Sequence, residues 1–158
     1  MFTGIVQDTG KVNSHISSLT SGEVEIITDL NLSNCQIGSS ICCDGICLTI
    51  TEIKNINDKY LFKVNVGEET LKRSTLQFWN NESIINLEKP LKVGDEISGH
   101  FVYGHVDNIA TVKKIDKLEF SWNFRFLTST FTKEQSKFIV EKGSISINGI
   151  SLTIAKIN

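Results

Sequence analysis

The sequence lacks most of the features that announce a function. Its 158 residues carry 16 Lys+Arg against 18 Asp+Glu, a formal net charge of −2 at pH 7, with no basic block. A nucleic-acid binder needs a positive footprint, so no nucleic-acid partner is expected. No stretch approaches the roughly 20 apolar residues of a membrane helix, so no membrane span is expected either. The N-terminus MFTGIVQDTG has neither the basic region nor the apolar run of a secretory signal. Cysteine is confined to Cys35, Cys42, Cys43 and Cys47. Without a secretory signal, that cluster fits reduced thiols in a cytoplasmic protein better than a disulfide framework. A zinc site is the sharper alternative, but no C-x-x-C pair and no second ligand pair occurs, so no metal is expected. Also missing are G-x-G-x-x-G, a phosphate loop and a G-x-S-x-G elbow, which leaves nucleotide-binding and serine-hydrolase readings without support.

What is present is repetition. With 40% apolar residues, the chain can fill one ordinary core or two small ones. DGICLTI, Asp44 to Ile50, returns as NGISLTI, Asn148 to Ile154, at an offset of 104. Upstream, Gly38-Ser39-Ser40-Ile41 matches Lys142-Gly143-Ser144-Ile145 with one residue slipped. At an offset of 100, Gly4-Ile5-Val6-Gln7-Asp8 resembles Gly104-His105-Val106-Asp107-Asn108. Chance resemblance between short β-type runs is the competing account, and two matched blocks in one order count against it. A period near 100 residues means duplicated small domains rather than a solenoid.

Runs over Val24–Ile27, Ser40–Thr51, Tyr60–Val66, Ser83–Leu87 and Glu96–Val106 are β-branched or aromatic and separated by Gly, Asn and Asp. Asn57-Asp58 reads as a turn between two strands. Helical signal is thin: Glu68 to Ser74 predicts one short turn. Thr132 with Gln135 predicts a capping box before Lys137-Phe138-Ile139-Val140, with Gly143 as the stop. Many short strands at regular spacing predict small antiparallel barrels or sandwiches. Pro90 and the turn residues around Val93-Gly94-Asp95 read as a link, and the boundary is expected near Ile97.

Within the repeated phrase, strand alternation puts Leu48 and Ile50, or Leu152 and Ile154, on the core side. Cys47 and Thr49, or Ser151 and Thr153, share the other face. A solvated outer face is the plain reading of those small polar groups. A ligand-lining face is the alternative, because free thiols are seldom placed in solvent and Gly45 and Gly149 allow a flat ligand or another backbone to approach closely. The second concentration of chemistry is Gly99-His100-Phe101-Val102-Tyr103-Gly104-His105-Val106-Asp107. Five residues apart in a strand, His100 and His105 face opposite ways, which disfavours a metal pair. His105 and Asp107 share a face, where a carboxylate could fix a histidine tautomer for acid–base work, although lone histidines are commonly structural.

MFTGIVQ, DGICLTIT, EETL, NLEKPL, SGHFVYGHVD and KGSISINGISLTI, in this order and spanning the whole chain, resemble the riboflavin synthase family of tandem lumazine-binding domains. The resemblance implies an all-β protein of two tandem six-stranded Greek-key β-barrels related by duplication, residues 1–97 and 98–158, the second incomplete in this chain. It implies that each barrel binds one 6,7-dimethyl-8-ribityllumazine. One lumazine would donate a four-carbon unit to the other, giving riboflavin and 5-amino-6-ribitylaminouracil without metal or organic cofactor. By position, Cys47, Leu48 and Thr49 with Asn65, Val66, Gly67, Glu68, Glu69 and Thr70 would line the first pocket. Gly104, His105 and Val106 with Ser151, Leu152 and Thr153 would line the second. Gly4, Ile5, Val6 and Lys142 match further substrate-contacting positions. His105, Cys47, Ser151 and Thr153 match the catalytic candidates, histidine for proton removal and a hydroxyl or thiol for the nucleophile or its positioning. The resemblance further implies a cytoplasmic homotrimer, with lumazine synthase a possible partner.

The sequence departs from the family at Asn148, where a carboxylate is common. It departs also in Gln77-Phe78-Trp79-Asn80-Asn81-Glu82, which replaces a turn bearing glycine and lysine. After its phrase the first unit runs on from Glu52 to Ile97, whereas the second copy stops five residues after Thr153. The closing strands of the second barrel and the trimerising helix are therefore expected beyond residue 158. Two rival readings are a non-catalytic lumazine or flavin carrier (antenna) of the same superfamily, and a structural β-barrel interaction module. The glycine-led polar strands count against the second. Gly4 to Thr70 contains every pocket segment of the first repeat, so a folded fragment of residues 1–97 is expected to bind lumazine or riboflavin and change its fluorescence. Unchanged emission at saturating ligand would refute the assignment.

Overall fold

A computed structural model describes residues 1–18 and 21–157. The strands of the first unit are β1 (Asp8–Ser17), β2 (Ser21–Thr28), β3 (Ser40–Cys43), β4 (Ile46–Ile56), β5 (Lys59–Gly67) and β6 (Ile84–Glu88). They close into one antiparallel barrel in the order β1-β2-β5-β4-β3-β6. That order is a Greek key, because β3 does not pair with the β2 that precedes it.

Local chemistry sets the registers. Asn57 and Asp58 both take positive φ, 49° and 65°, the geometry of a tight hairpin turn that asparagine and aspartate tolerate. It pairs Ile56 with Lys59 and carries the register down to Ile50 opposite Val64. Asp44 and Gly45, at φ 48° and 84°, make the same kind of turn and split the predicted Ser40–Thr51 run into β3 and β4. Bulges between Val12 and Ser14 in β1 and between Ile50 and Glu52 in β4 supply the bends a small barrel needs. Alternation then sends Ile46, Leu48 and Ile50 inward with Ile26, Phe62 and Leu87, all buried. A methyl on Gly10 would meet Ile26 at 2.6 Å and Leu87 at 2.8 Å. The interior is filled by these side chains.

The rest of the chain is more open. It holds the hairpins β7 (Thr111–Lys117) with β8 (Trp122–Leu127) and β9 (Ser144–Ile147) with β10 (Ile150–Thr153), plus one turn of helix α2 (Lys133–Ser136), whereas the short helix α1 (Glu68–Arg73) follows β5 in the first unit. Among the described residues this second half forms no closed barrel, as expected of an incomplete copy. The Thr132–Gln135 capping box is present, but α2 ends at Ser136 instead of running through Val140. Phe138 is 85% exposed, so no buried apolar face rewards a longer helix. Glu96–Val106 is not a strand as predicted. It is an extended segment with one bridge, at Val102.

That bridge joins the halves. Phe2 and Val102 each donate a backbone hydrogen bond to the other, at 2.7 and 2.9 Å, and the His100 amide donates to the Thr3 carbonyl at 3.0 Å. The Cys47 amide donates to Gly104 at 2.8 Å, and the Ser151 amide donates to Gly4 at 2.7 Å. The leading segment of each repeat therefore docks on the repeated phrase of the other. Buried Glu88, at the end of β6, fixes one leading segment: it accepts from the Thr3 amide (2.7 Å), the Thr3 hydroxyl (2.8 Å) and the Gly4 amide (3.0 Å). Glu88→Ala orphans three donors, at an expected cost of about 2–4 kcal/mol in denaturant unfolding. A loss under about 0.5 kcal/mol would show that the carboxylate is not the anchor.

Candidate active site

A cleft of about 390 Å³ opens where the Gly104 segment crosses β4. Ile46, Cys47, Glu69, Thr70, Arg73 and Ser74 line one side, and Gly104, His105, Val106 and Asp107 the other. Each arrives for a local reason. Cys47 alternates with core-facing Ile46 and Leu48, which leaves its half-buried thiol on the outer face of β4. Gly104 (φ 77°) passes so close that a Cβ there would stand 2.7 Å from the Cys47 amide nitrogen. Glu69, Thr70 and Arg73 come from α1, whose acidic first turn and basic last turn suit the helix dipole. The ion pairs Lys72–Glu68 and Arg73–Glu69 brace it. Arg73 Nη1 reaches across to donate to the Asp107 carbonyl at 3.5 Å, and Gln135 donates to the same oxygen at 3.1 Å.

The cleft unites Cys47, Glu69, Thr70, Gly104, His105 and Val106 among the expected positions. Leu48 and Val66 are core residues, with Thr49, Asn65, Gly67 and Glu68 exposed around them. Ser151 gathers with Gly4 elsewhere, with half-buried Val6 and exposed Ile5, Lys142, Leu152 and Thr153 on the same chain segments. This grouping differs from the one the resemblance implies: Gly104, His105 and Val106 stand beside Cys47 rather than Ser151. The crossing at Phe2 and Val102 is the reason, since it delivers each leading segment to the opposite unit. Among the described residues no hydrogen bond joins His105 to Asp107. His105 instead lies beside Tyr103, ring centroids 6.5 Å apart.

Sequence reasoning passed over Arg73, and it weighed His100 only as a metal ligand. Arg73 stands in the cleft, two residues past the EETL phrase. His100 Nδ1 is 2.7 Å from the Ser151 hydroxyl. The signal for His100 was its glycine neighbour: a Cβ on Gly99 would fall 2.0 Å from the Thr3 carbonyl oxygen, so only glycine lets the imidazole reach β10. The arrangement thus offers an accessible imidazole and a thiol in one cleft, and an imidazole–hydroxyl pair beside the other phrase. A second hollow of about 290 Å³, lined by Ile27, Ile56, Asn57, Lys59, Tyr60 and Leu61, lies away from both phrases.

The lumazine binding domain family matches residues 3–90 and again 103–158. Riboflavin synthase of Brucella abortus (strain 2308) is 38% identical, over all of this chain and 77% of its own length. Riboflavin synthase of Saccharomyces cerevisiae is 37% identical, over all of this chain and 67% of its own. The chain belongs to the riboflavin synthase family. A solved structure of LumP complexed with 6,7-dimethyl-8-(1'-D-ribityl) lumazine superposes with a TM-score of 0.82 at 21% identity, covering all of this chain and 82% of that one. That likeness establishes the shared fold. No helix among the described residues is long and apolar enough to cross a membrane.

Burial tunes the groups beneath this family's repeated phrase. Asp44 is held above the usual carboxylate range by burial, against the opposing pull of the Asn86 amide. Burial and then the Glu88 charge push the Cys42 thiol up to about 12, and burial raises fully enclosed Cys43 well above its ordinary value. Both thiols keep their protons in the folded state at pH values where the unfolded chain loses them. The folded state then binds more protons, so the contribution of these thiols to stability is constant below about pH 9 and falls as pH rises towards 12. Alkaline unfolding should show that loss, and Cys42→Ala should flatten it. An unchanged slope in the variant would contradict the burial argument.

Proposed function

We propose that the protein catalyses the riboflavin synthase reaction, the dismutation of two 6,7-dimethyl-8-ribityllumazine molecules. The supporting observation is the cleft in which Cys47 of one repeat faces His105 of the other, in a chain 38% identical to a riboflavin synthase along its whole length. Four carbons pass from one lumazine to an identical one, so atoms and electrons balance within the pair and no added cofactor is needed. His105, exposed at the cleft, removes a proton from the acidic methyl group of the bound substrate. Cys47 in one unit and Ser151 with Thr153 in the other supply or position the nucleophile, with His100 orienting the Ser151 hydroxyl. The reading includes two units, 1–97 and 98–158, a homotrimer as the working assembly, and lumazine synthase as a partner supplying the substrate.

A second reading, a lumazine or flavin carrier without catalysis, draws support from the shared fold with LumP. One incubation separates the two. With 6,7-dimethyl-8-ribityllumazine alone, riboflavin and 5-amino-6-ribitylaminouracil should appear in equal amounts, unaffected by EDTA. His105→Ala should slow this by about 10²–10⁴-fold while leaving the fold intact, and Cys47→Ser should retain activity. Tight lumazine binding with no riboflavin formed would favour the carrier. Full-rate catalysis by His105→Ala would remove the proposed base.

A further inference from the structure

The two-residue turn at Asp44-Gly45 closes on Cys43 and Ile46, so the next pair along β3 and β4 is Cys42 opposite Cys47. In such a hairpin this second pair exchanges no backbone hydrogen bonds. The Cys47 amide accordingly donates outward to the Gly104 carbonyl. Cα atoms of a pair of this kind lie about 4.5 Å apart with side chains on one face, within the roughly 4.4–6.8 Å that a disulfide spans. The faces agree: Cys43 and Ile46 point into the barrel core, while Cys42 packs with Phe2, Val102 and Cys47 on the outside. Cys35 lies against the core instead. Only Cys47 of this pair opens to the cleft, and Cys42 is 1% exposed.

The second repeat is an internal control. There Ser151 faces Ser146 at the matching register, so the scaffold accepts hydroxyls where the first repeat has thiols. What thiols add is redox chemistry. We propose that Cys42 and Cys47 form a thiol–disulfide switch, closed by a small-molecule disulfide, that withdraws the Cys47 thiol from the cleft.

Oxidised glutathione serves as the oxidant. The Cys47 thiolate attacks one glutathione sulfur, forming a mixed disulfide and releasing a glutathione thiolate. Cys42 then attacks the Cys47 sulfur; the protein disulfide forms, the mixed one breaks, and the second glutathione leaves with the Cys42 proton. Two protein thiols are oxidised and one glutathione disulfide is reduced. Burial keeps Cys42 out of reach of the oxidant, which fixes the order of the two steps; the departing glutathione thiolate takes up the proton that Cys42 gives up as it attacks. Bond formation stands on register and burial alone; its effect on ligand binding rests on the function proposed above.

The test treats the reduced full chain with oxidised glutathione under native conditions, traps free thiols, and cleaves before Asp44 to separate Cys42 from Cys47. Peptides joined through Cys42 and Cys47, and freed by dithiothreitol, are the expected result; unlinked peptides at saturating oxidant would overturn the switch. Riboflavin quenching should be lost on oxidation and return on reduction. Linked peptides with quenching unchanged would overturn the withdrawal of Cys47. Cys42→Ser, which copies Ser146, should bind riboflavin as before and stop at glutathione on Cys47. A reduced wild type that never quenches riboflavin would defeat the functional reading and leave the disulfide to be judged by mass alone.

Discussion

Everything near the cleft depends on how closely two backbones can pass. Gly4 and Gly104, at φ 76° and 77°, carry the leading segments onto β10 and β4. A Cβ on Gly4 would stand 2.8 Å from the Ser151 amide nitrogen, and a Cβ on Gly45 would stand 2.7 Å from that of Gly149. These separations admit no side chain, so the glycines are fixed by contact as well as by conformation. The result is a reciprocal clasp about Phe2 and Val102: each unit borrows from the other the leading segment that walls its polar face. The clasp also explains Cys42, which is buried although it points out of the barrel.

Much of this was legible in the sequence, for an identifiable reason. Strand alternation in ICLTI put Leu48 and Ile50 inside and Cys47 outside, because the barrel core gives that pattern a large energetic consequence. The Asn57-Asp58 turn and the Thr132–Gln135 capping box were equally readable, since both are local. Glu96–Val106 misled because its β-branched and aromatic residues serve a single bridge between halves rather than a ladder. The partnership of Gly104 with Cys47 and of Gly4 with Ser151 was hidden for a different reason. A repeat shows that two segments are alike, and duplicate units with interchangeable leading segments read identically whether those segments stay or cross. Only the packed structure distinguishes the two.

The crossing gives near-identical copies unlike chemistry. At the offset of 100 residues, His105 corresponds to Ile5, so one polar strand face receives an imidazole and the other an isobutyl-sized side chain. At the offset of 104, Ser151 corresponds to Cys47, and the hydroxyl has His100 at 2.7 Å. The two faces therefore share a backbone frame while differing in acid–base groups.

That combination bears on the chemistry proposed for the chain. A dismutation of two identical molecules needs two seats of the same shape, since both substrates present the same outline. It also needs the seats to differ, because one molecule gives carbon and the other receives it. Perfectly equivalent sites would stabilise each direction of transfer equally and offer no preference for either role. Duplication answers the first requirement. The unequal exchange of leading segments, histidine to one side and isoleucine to the other, answers the second.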